Sequence, residues 1–395
     1  MNRKTSFFKN PCVWYLGAWC LYLMQGTLYT SGATLSQFLL FIIIAWSAIN
    51  AVRVIKMNNT PLYFKGLNVL IVMYTIYGLF LFVTDGTMVE GKSLSMPSLY
   101  YLKGYYMALL PIYSCYLFAR KGLLNSRVVS IFALIFIIVG ILDFYRTQRE
   151  MLEKLMDIGS QVTEITNNSG YVMLSVIPSL LIFNKKPIVQ YVGIGVCVVF
   201  IFLAMKRGAI LCLGAFLFLF ALHKMETTRG SRRLLVISTI IVAFVLLFGF
   251  VENLSESSDY FQARIEQTRS GDNSNRSMLY QGFWRQFIYD SSLFNQLFGY
   301  GAYGTIKVGE SFAHNDWLET LTNQGLMGVS FLILYCVYFF KTSRIKRYNR
   351  ESRFALLVIF IFFFLQTFFS AGITNTTIFT SCMTGFALAD GFSET

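Results

Sequence analysis

The sequence predicts an all-α, polytopic membrane protein: a helical bundle of about twelve transmembrane helices with one long outer loop that carries amphipathic helices. Three observations lead there. The 395-residue chain is 55% hydrophobic and only 13% charged, where a soluble domain holds about 25% charged residues. Its mean hydropathy is +0.56. Apolar runs of about 20 residues recur, flanked by Lys or Arg, and that is the length and flanking chemistry of a membrane-crossing helix. Lipid offers a free N–H or C=O no partner, so each run must pair its backbone internally. No alternation of the kind a membrane barrel needs is visible.

The expected spans, in order, are 12–30, 35–52, 66–84, 99–119, 128–145, 171–183, 188–205, 208–222, 234–251, 316–340, 354–370 and 373–390. The sixth is short, and the last is polar, with Thr374, Asn375, Thr376, Thr377, Ser381 and Thr384. Arg3, Lys4 and Lys9 before an apolar run imitate a signal peptide, but so many spans follow that a retained first helix is expected. With the N-terminus placed in the cytoplasm, 21 of the 33 Lys and Arg fall in cytoplasmic segments, the bias the positive-inside rule describes. The chain then divides into spans one to nine (1–251), an outer loop (252–313) and three closing spans (314–395), all one integral-membrane unit.

The net charge of +13 lies in short inter-span loops, so topology explains it and nucleic acid is not an expected partner. All seven cysteines sit in or beside apolar runs and none forms a CxxC pair, which points to buried apolar side chains rather than disulfides or zinc.

Two loops are long, and both face outward. Residues 146–170 contain Met151, Leu152, Leu155, Met156 and Ile158 at helical spacing, which suggests an amphipathic helix on the outer surface; a plain spacer is the alternative. In the second loop, SGDNSN (270–275) caps RSMLYQGFWRQFIYD, whose Leu279, Phe283 and Phe287 share a face. LFGYGAYGT (297–305) follows, its three glycines permitting an irregular backbone.

Candidate chemistry gathers on this side. His314 stands just before the tenth span, and imidazole suits proton transfer near neutral pH; a histidine that merely sits at the interface is the plain alternative. His223, beside Lys224 at a cytoplasmic span end, has only that plain reading. Lys206 and Arg207 interrupt IFLAMKRGAILCLGAF at a turn too short to be a loop. A charge at membrane depth costs about 2.5–3.5 kcal/mol, which an anionic ligand would offset; a helix-end anchor at the headgroups is the alternative. Arg276 opens the loop helix, where guanidinium and backbone N–H groups together favour phosphate; Arg264, Arg269 and Arg285 lie near in sequence, and a solvated, salt-bridged face is the alternative. A base and two anion clamps at a membrane surface suit transfer from a lipid-linked diphosphate. No phosphate-binding loop, HExxH, Asp-x-Asp or triad order occurs, so neither a metal nor another cofactor is expected.

His314-Asn315, nine residues, then Gly325-Leu326-Met327-Gly328 resembles the signature of the bacterial O-antigen ligase and O-antigen polymerase superfamily (WaaL/Wzy type). Asn275-Arg276-Ser277-Met278-Leu279-Tyr280 resembles its Arg-containing loop helix, Leu297-Phe298-Gly299-Tyr300-Gly301 its glycine-rich turn, and Lys206-Arg207-Gly208 its basic residue between mid-chain spans. The resemblance covers roughly residues 190–340. The family often has Trp near Tyr280 and an acidic residue near Asn323, a part Glu319 could take. The resemblance implies a GT-C-like, metal-independent, inverting glycosyltransferase in the bacterial inner membrane, with its active site facing the periplasm. The donor is a glycan on undecaprenyl diphosphate. The acceptor is lipid A-core for a ligase, or another lipid-linked repeat unit for a polymerase. Partners in the polysaccharide export pathway are implied as well. On this reading His314 is the base, Arg207 and Arg276 hold the diphosphate, and Lys206, Asn315, Arg285, Tyr280 and Tyr300 bind substrate. A lipid-glycan flippase or other transporter is the alternative; its sites belong near the bilayer midplane, in repeated halves, and no internal repeat is visible.

Overall fold

The computed structural model describes residues 7–29, 32, 34–84, 88–89, 92–93, 97–158, 167–227, 249, 276–309 and 311–394, with side chains left aside at 82–96, 151–158 and 394. The expected ninth span (234–251), apart from Gly249, and the first part of the outer loop (252–275), with Arg264 and Arg269, lie outside the described residues.

In chain order the longer helices are α1 (Pro11–Leu23), α2 (Thr34–Ile55), α3 (Tyr63–Thr84), α4 (Pro97–Leu109), α5 (Pro111–Arg120) and α6 (Ser126–Ile158). Then come α7 (Ser169–Leu180), α8 (Pro187–Leu203), α9 (Arg207–Thr227), α10 (Arg276–Arg285), α11 (Leu293–Phe298) and α12 (Gly304–Gly309). The chain closes with α13 (Asp316–Ser343), α14 (Arg350–Phe369) and α15 (Ile378–Leu388). A two-residue hairpin pairs Met88–Val89 with Lys92–Ser93. Six described helices are long and apolar enough to cross a bilayer: α2, α3, the Ser126–Glu150 part of α6, α9, α13 and α14. Pro11–Leu23, Ser169–Phe183, Pro187–Leu203 and Ile378–Leu388 are apolar but shorter.

Local chemistry sets the boundaries. Asn10 caps α1 by accepting the Cys12 N–H at 2.9 Å, with Pro11 at the first helical position. Pro111 divides the expected span 99–119 into α4 and α5, because its ring removes a helical N–H and crowds the preceding turn. The expected separate surface helix after 145 is instead a continuation: α6 runs unbroken to Ile158. The last expected span starts late, at Ile378, since the Thr- and Asn-rich stretch before it forms a loop.

α2 displays the solvent logic of a bilayer. Phe38, Phe41, Ile49 and Val52 are exposed, while Ser36, Ser47 and Asn50 are buried. The inward polar groups bond across helices: Ser47 Oγ lies 2.7 Å from Tyr15 Oη, and Asn50 Nδ2 donates to Ser114 Oγ at 3.1 Å. Polar atoms facing protein and apolar ones facing lipid is the arrangement hydrocarbon imposes. All seven cysteines are buried and unbridged. Close helix approach uses glycine: a Cβ on Gly66 of α3 would sit 2.9 Å from the Tyr335 Cα of α13, where Tyr63 and Tyr335 hydroxyls meet at 2.8 Å.

The glycine-rich turn and the kink in α13 are one construction. Gly325 has φ +66 and interrupts the helix. Into that break the turn inserts its backbone: Tyr300 N–H donates to Thr322 C=O at 2.8 Å, and Gly301 N–H to Asn323 C=O at 2.9 Å. A Cβ on Gly325 would lie 2.5 Å from Leu297 C=O and 2.6 Å from Gly299 N. The glycines the sequence singled out thus serve to lock the outer loop to α13.

Candidate active site

α13 begins where the loop meets the bundle. Asn315 caps it, its Oδ1 accepting the N–H groups of Trp317 at 3.0 Å and Leu318 at 3.1 Å, while its Nδ2 donates to Phe368 C=O at 3.2 Å. His314, one residue earlier, has left-handed backbone, φ +51. Glu319 secures this turn: one oxygen accepts the Ala313 N–H at 2.8 Å and the other the Thr305 hydroxyl at 3.0 Å. Asp316 is buried and accepts the Ile373 N–H at 2.9 Å. Trp317 Nε1 donates to Thr367 Oγ1 at 2.9 Å. Asp316 and Glu319 therefore fasten backbone, and α13 is tied to the end of α14.

His314 faces a cavity of about 720 Å³ together with Lys206, Arg276, Arg146, Asp143 and Tyr171. Trp19, Leu23, Met107 and Ala108 supply an apolar wall, and the loop Ser370–Thr377 with its hydroxyl and amide groups supplies a polar one. Arg276 Nη1 donates to Phe369 C=O at 3.1 Å. Lys206 Nζ stands 5.9 Å over the Tyr171 ring, which favours a cation there. A Cβ on Gly170 would lie 3.3 Å from Lys206 Cβ, so glycine lets the Lys206 turn come close. Arg146 Nη2 pairs with Asp143 at 2.5 Å, and its Nη1 donates to Gln25 C=O at 2.7 Å. Three cations and an imidazole thus share the cavity with one lining carboxylate, Asp143. Such a field attracts an anion. Among the described residues no group of three His, Cys, Asp or Glu is placed to hold a metal.

The residues singled out in the sequence divide. His314, Arg276 and Lys206 come together around one cavity. Arg207, the first residue of α9, is not among the residues lining it; its neighbour Lys206 is. Asn315 acts as a helix cap. Tyr280 packs on the Phe283, Ala313 and Leu318 cluster. Tyr300 Oη bonds Ser291 Oγ at 2.7 Å and Gln286 at 3.2 Å, bracing the loop. Arg285 ends α10, away from the cavity lining. Sequence reasoning did not single out Arg146 and Asp143. Their i,i+3 spacing was the available signal.

Helices apolar enough to cross a bilayer mark a multi-pass membrane protein, and at one end of the bundle it carries a cationic cavity. Residues 192–333, from α8 into α13, match the O-antigen ligase family (Wzy_C). The match supports membership of the O-antigen ligase and polymerase superfamily and glycan transfer of ligase or polymerase type. It spans Lys206, Arg207, Arg276, His314 and Gly325. Neither a curated protein nor a solved structure matches the chain.

Proposed function

We propose that the chain transfers a glycan from undecaprenyl diphosphate to a sugar hydroxyl at the periplasmic face of the bacterial inner membrane. The observation that carries this is the meeting of Lys206, Arg276 and His314 in one cavity, within the family match. Arg276 and Lys206 hold the donor's diphosphate; Arg207, beside Lys206, adds charge at the first turn of α9. His314 takes the proton of the acceptor hydroxyl. The hydroxyl oxygen bonds to the anomeric carbon from the face opposite the diphosphate. The anomeric C–O bond breaks, and its electron pair leaves on the diphosphate, so configuration inverts. Negative charge grows on the leaving group in the transition state, and cations fixed beforehand around it stabilise that change most. The acceptor, lipid A-core or a second lipid-linked unit, decides between ligase and polymerase.

The test is glycan profiling of cells carrying His314→Ala at wild-type protein level. Loss of glycan attachment or of chain extension is expected; unchanged glycan would remove the base assignment. In a deletion strain, loss of all long glycan from the core marks a ligase, and attachment of single repeat units marks a polymerase.

A further inference from the structure

The end of the bundle opposite the cavity holds a second, smaller pocket of about 320 Å³. It lies where α9 and α13 finish and α14 starts, so α9 alone, 21 residues long, separates it from Lys206 by about 30 Å, the thickness of a hydrocarbon core. Arg344, Lys346, Arg350 and Arg353 line it, against a single lining carboxylate, Glu226. Arg350 pairs with Glu226 at 2.5 Å. Arg344, Lys346 and Arg353 have no carboxylate partner among the described residues. The Arg353 Nε is buried with no hydrogen-bond partner among the described residues. A buried donor left unmade is costly, and three unmatched cations in one recess repel each other. His223 is already committed, 3.1 Å from Glu351 and stacked on Phe354.

We infer that this pocket binds the phosphate headgroup of an anionic phospholipid in the leaflet opposite the active site. A phosphodiester supplies the charge that Arg344 and Lys346 lack and an acceptor for Arg353 Nε. The depth argues for lipid over free anion: the pocket sits at helix ends, and the adjoining stretches of α9 and α13 expose Leu222 and Phe340, which acyl chains would cover. A basic recess between membrane helices is the form such headgroup sites take. The inference does not depend on the glycan reading.

The test is native mass spectrometry of the full chain, purified in neutral detergent and offered phosphatidylglycerol and phosphatidylcholine with the same acyl chains. Wild type is expected to retain phosphatidylglycerol preferentially. Lys346→Gln and Arg353→Gln should each weaken that retention about fivefold, from about 1 kcal/mol per cation at an anionic lipid surface. Arg353→Lys should keep most of it, and Arg53→Gln, at the end of α2, should change nothing. Equal retention of both lipids by wild type overturns the inference, a result that needs no variant to fold. Equal retention by wild type and both Gln variants also overturns it. Full displacement of the lipid by inorganic phosphate overturns the lipid assignment and leaves a free-anion site.

Discussion

The two ends of the bundle each hold a histidine among cations, and they use it differently. At one end His223 is stacked on Phe354 at 4.0 Å between ring centres and bonded to Glu351. Its imidazole is absorbed by neighbours that fix helix α9 to α14. At the other end the nearby carboxylates, Glu319 and Asp316, accept backbone N–H groups instead. They build the turn that carries His314, and His314 lines the cavity with Lys206 and Arg276. The lesson is that a carboxylate close to a histidine in sequence can have a structural task of its own. Here it serves by shaping the backbone from which the histidine projects.

The largest effect that would separate the two ends comes from the histidines themselves. His314→Ala is expected to lower glycan transfer by roughly 10²–10⁴-fold, the usual contribution of a general base, with little change in thermal stability. His223→Ala should do the reverse, lowering the melting temperature in detergent while transfer per folded molecule stays near wild type. Equal activity losses in the two variants would erase the distinction.

Next come the clamps. Arg276→Gln should reduce the turnover of purified protein by roughly 10²-fold, the scale of losing one preorganised charge-stabilising donor. Lys206→Gln should hurt more than Arg207→Gln, because Lys206 lines the cavity. The opposite order would return the clamp to Arg207.

Gly325→Ala tests the framework rather than the chemistry. The backbone there, φ +66 and ψ −163, belongs to glycine, and forcing another residue into it costs on the order of 1–3 kcal/mol. A lower melting temperature is expected, with reduced transfer in the protein that remains folded. An unchanged melting curve would mean the loop is not locked to α13 as described.

The smallest of these effects falls on Glu319→Gln. The substitution keeps the side chain's size but removes its charge and one accepting oxygen, so of the Ala313 N–H and the Thr305 hydroxyl one loses its acceptor and the other keeps only a neutral one. Transfer should drop less than in His314→Ala, and Glu319→Asp, too short to reach both groups, should be worse than Glu319→Gln. If both variants match wild type in rate, the turn does not need this brace.

Much of this contrast was legible in the sequence. Apolar runs announced the helices because lipid allows few other structures, and the run from 316 placed the start of α13, but the sequence reading gave Asn315 to substrate where the structure uses it as the helix cap. The sequence expected His314, Arg276 and Arg207 to converge with Lys206 assisting; the cavity gathers His314, Arg276 and Lys206. Other features were hidden because they depend on tertiary geometry. Periodicity could not show Gly325 breaking its helix to admit Gly299, since the cause is a loop arriving from 26 residues upstream. Pro111 was in plain view, yet the apolar run around it masked the division into α4 and α5. Arg146 and Asp143 lie either side of the expected end of their span at 145, and the unbroken α6 holds them on one face toward the cavity. Choosing between Lys206 and Arg207 required knowing which way a one-residue difference turns a side chain at the start of α9.

The most direct measurement is a mutant cycle on the purified protein with a polyprenyl-diphosphate-linked glycan and its acceptor, comparing Arg276→Gln, His314→Ala and the double variant. Groups that serve one reaction step in one cavity lose activity non-additively, so the double variant should be about as slow as His314→Ala alone. Losses that multiply, or a His314→Ala protein that transfers at the wild-type rate, would contradict a single site built from these side chains.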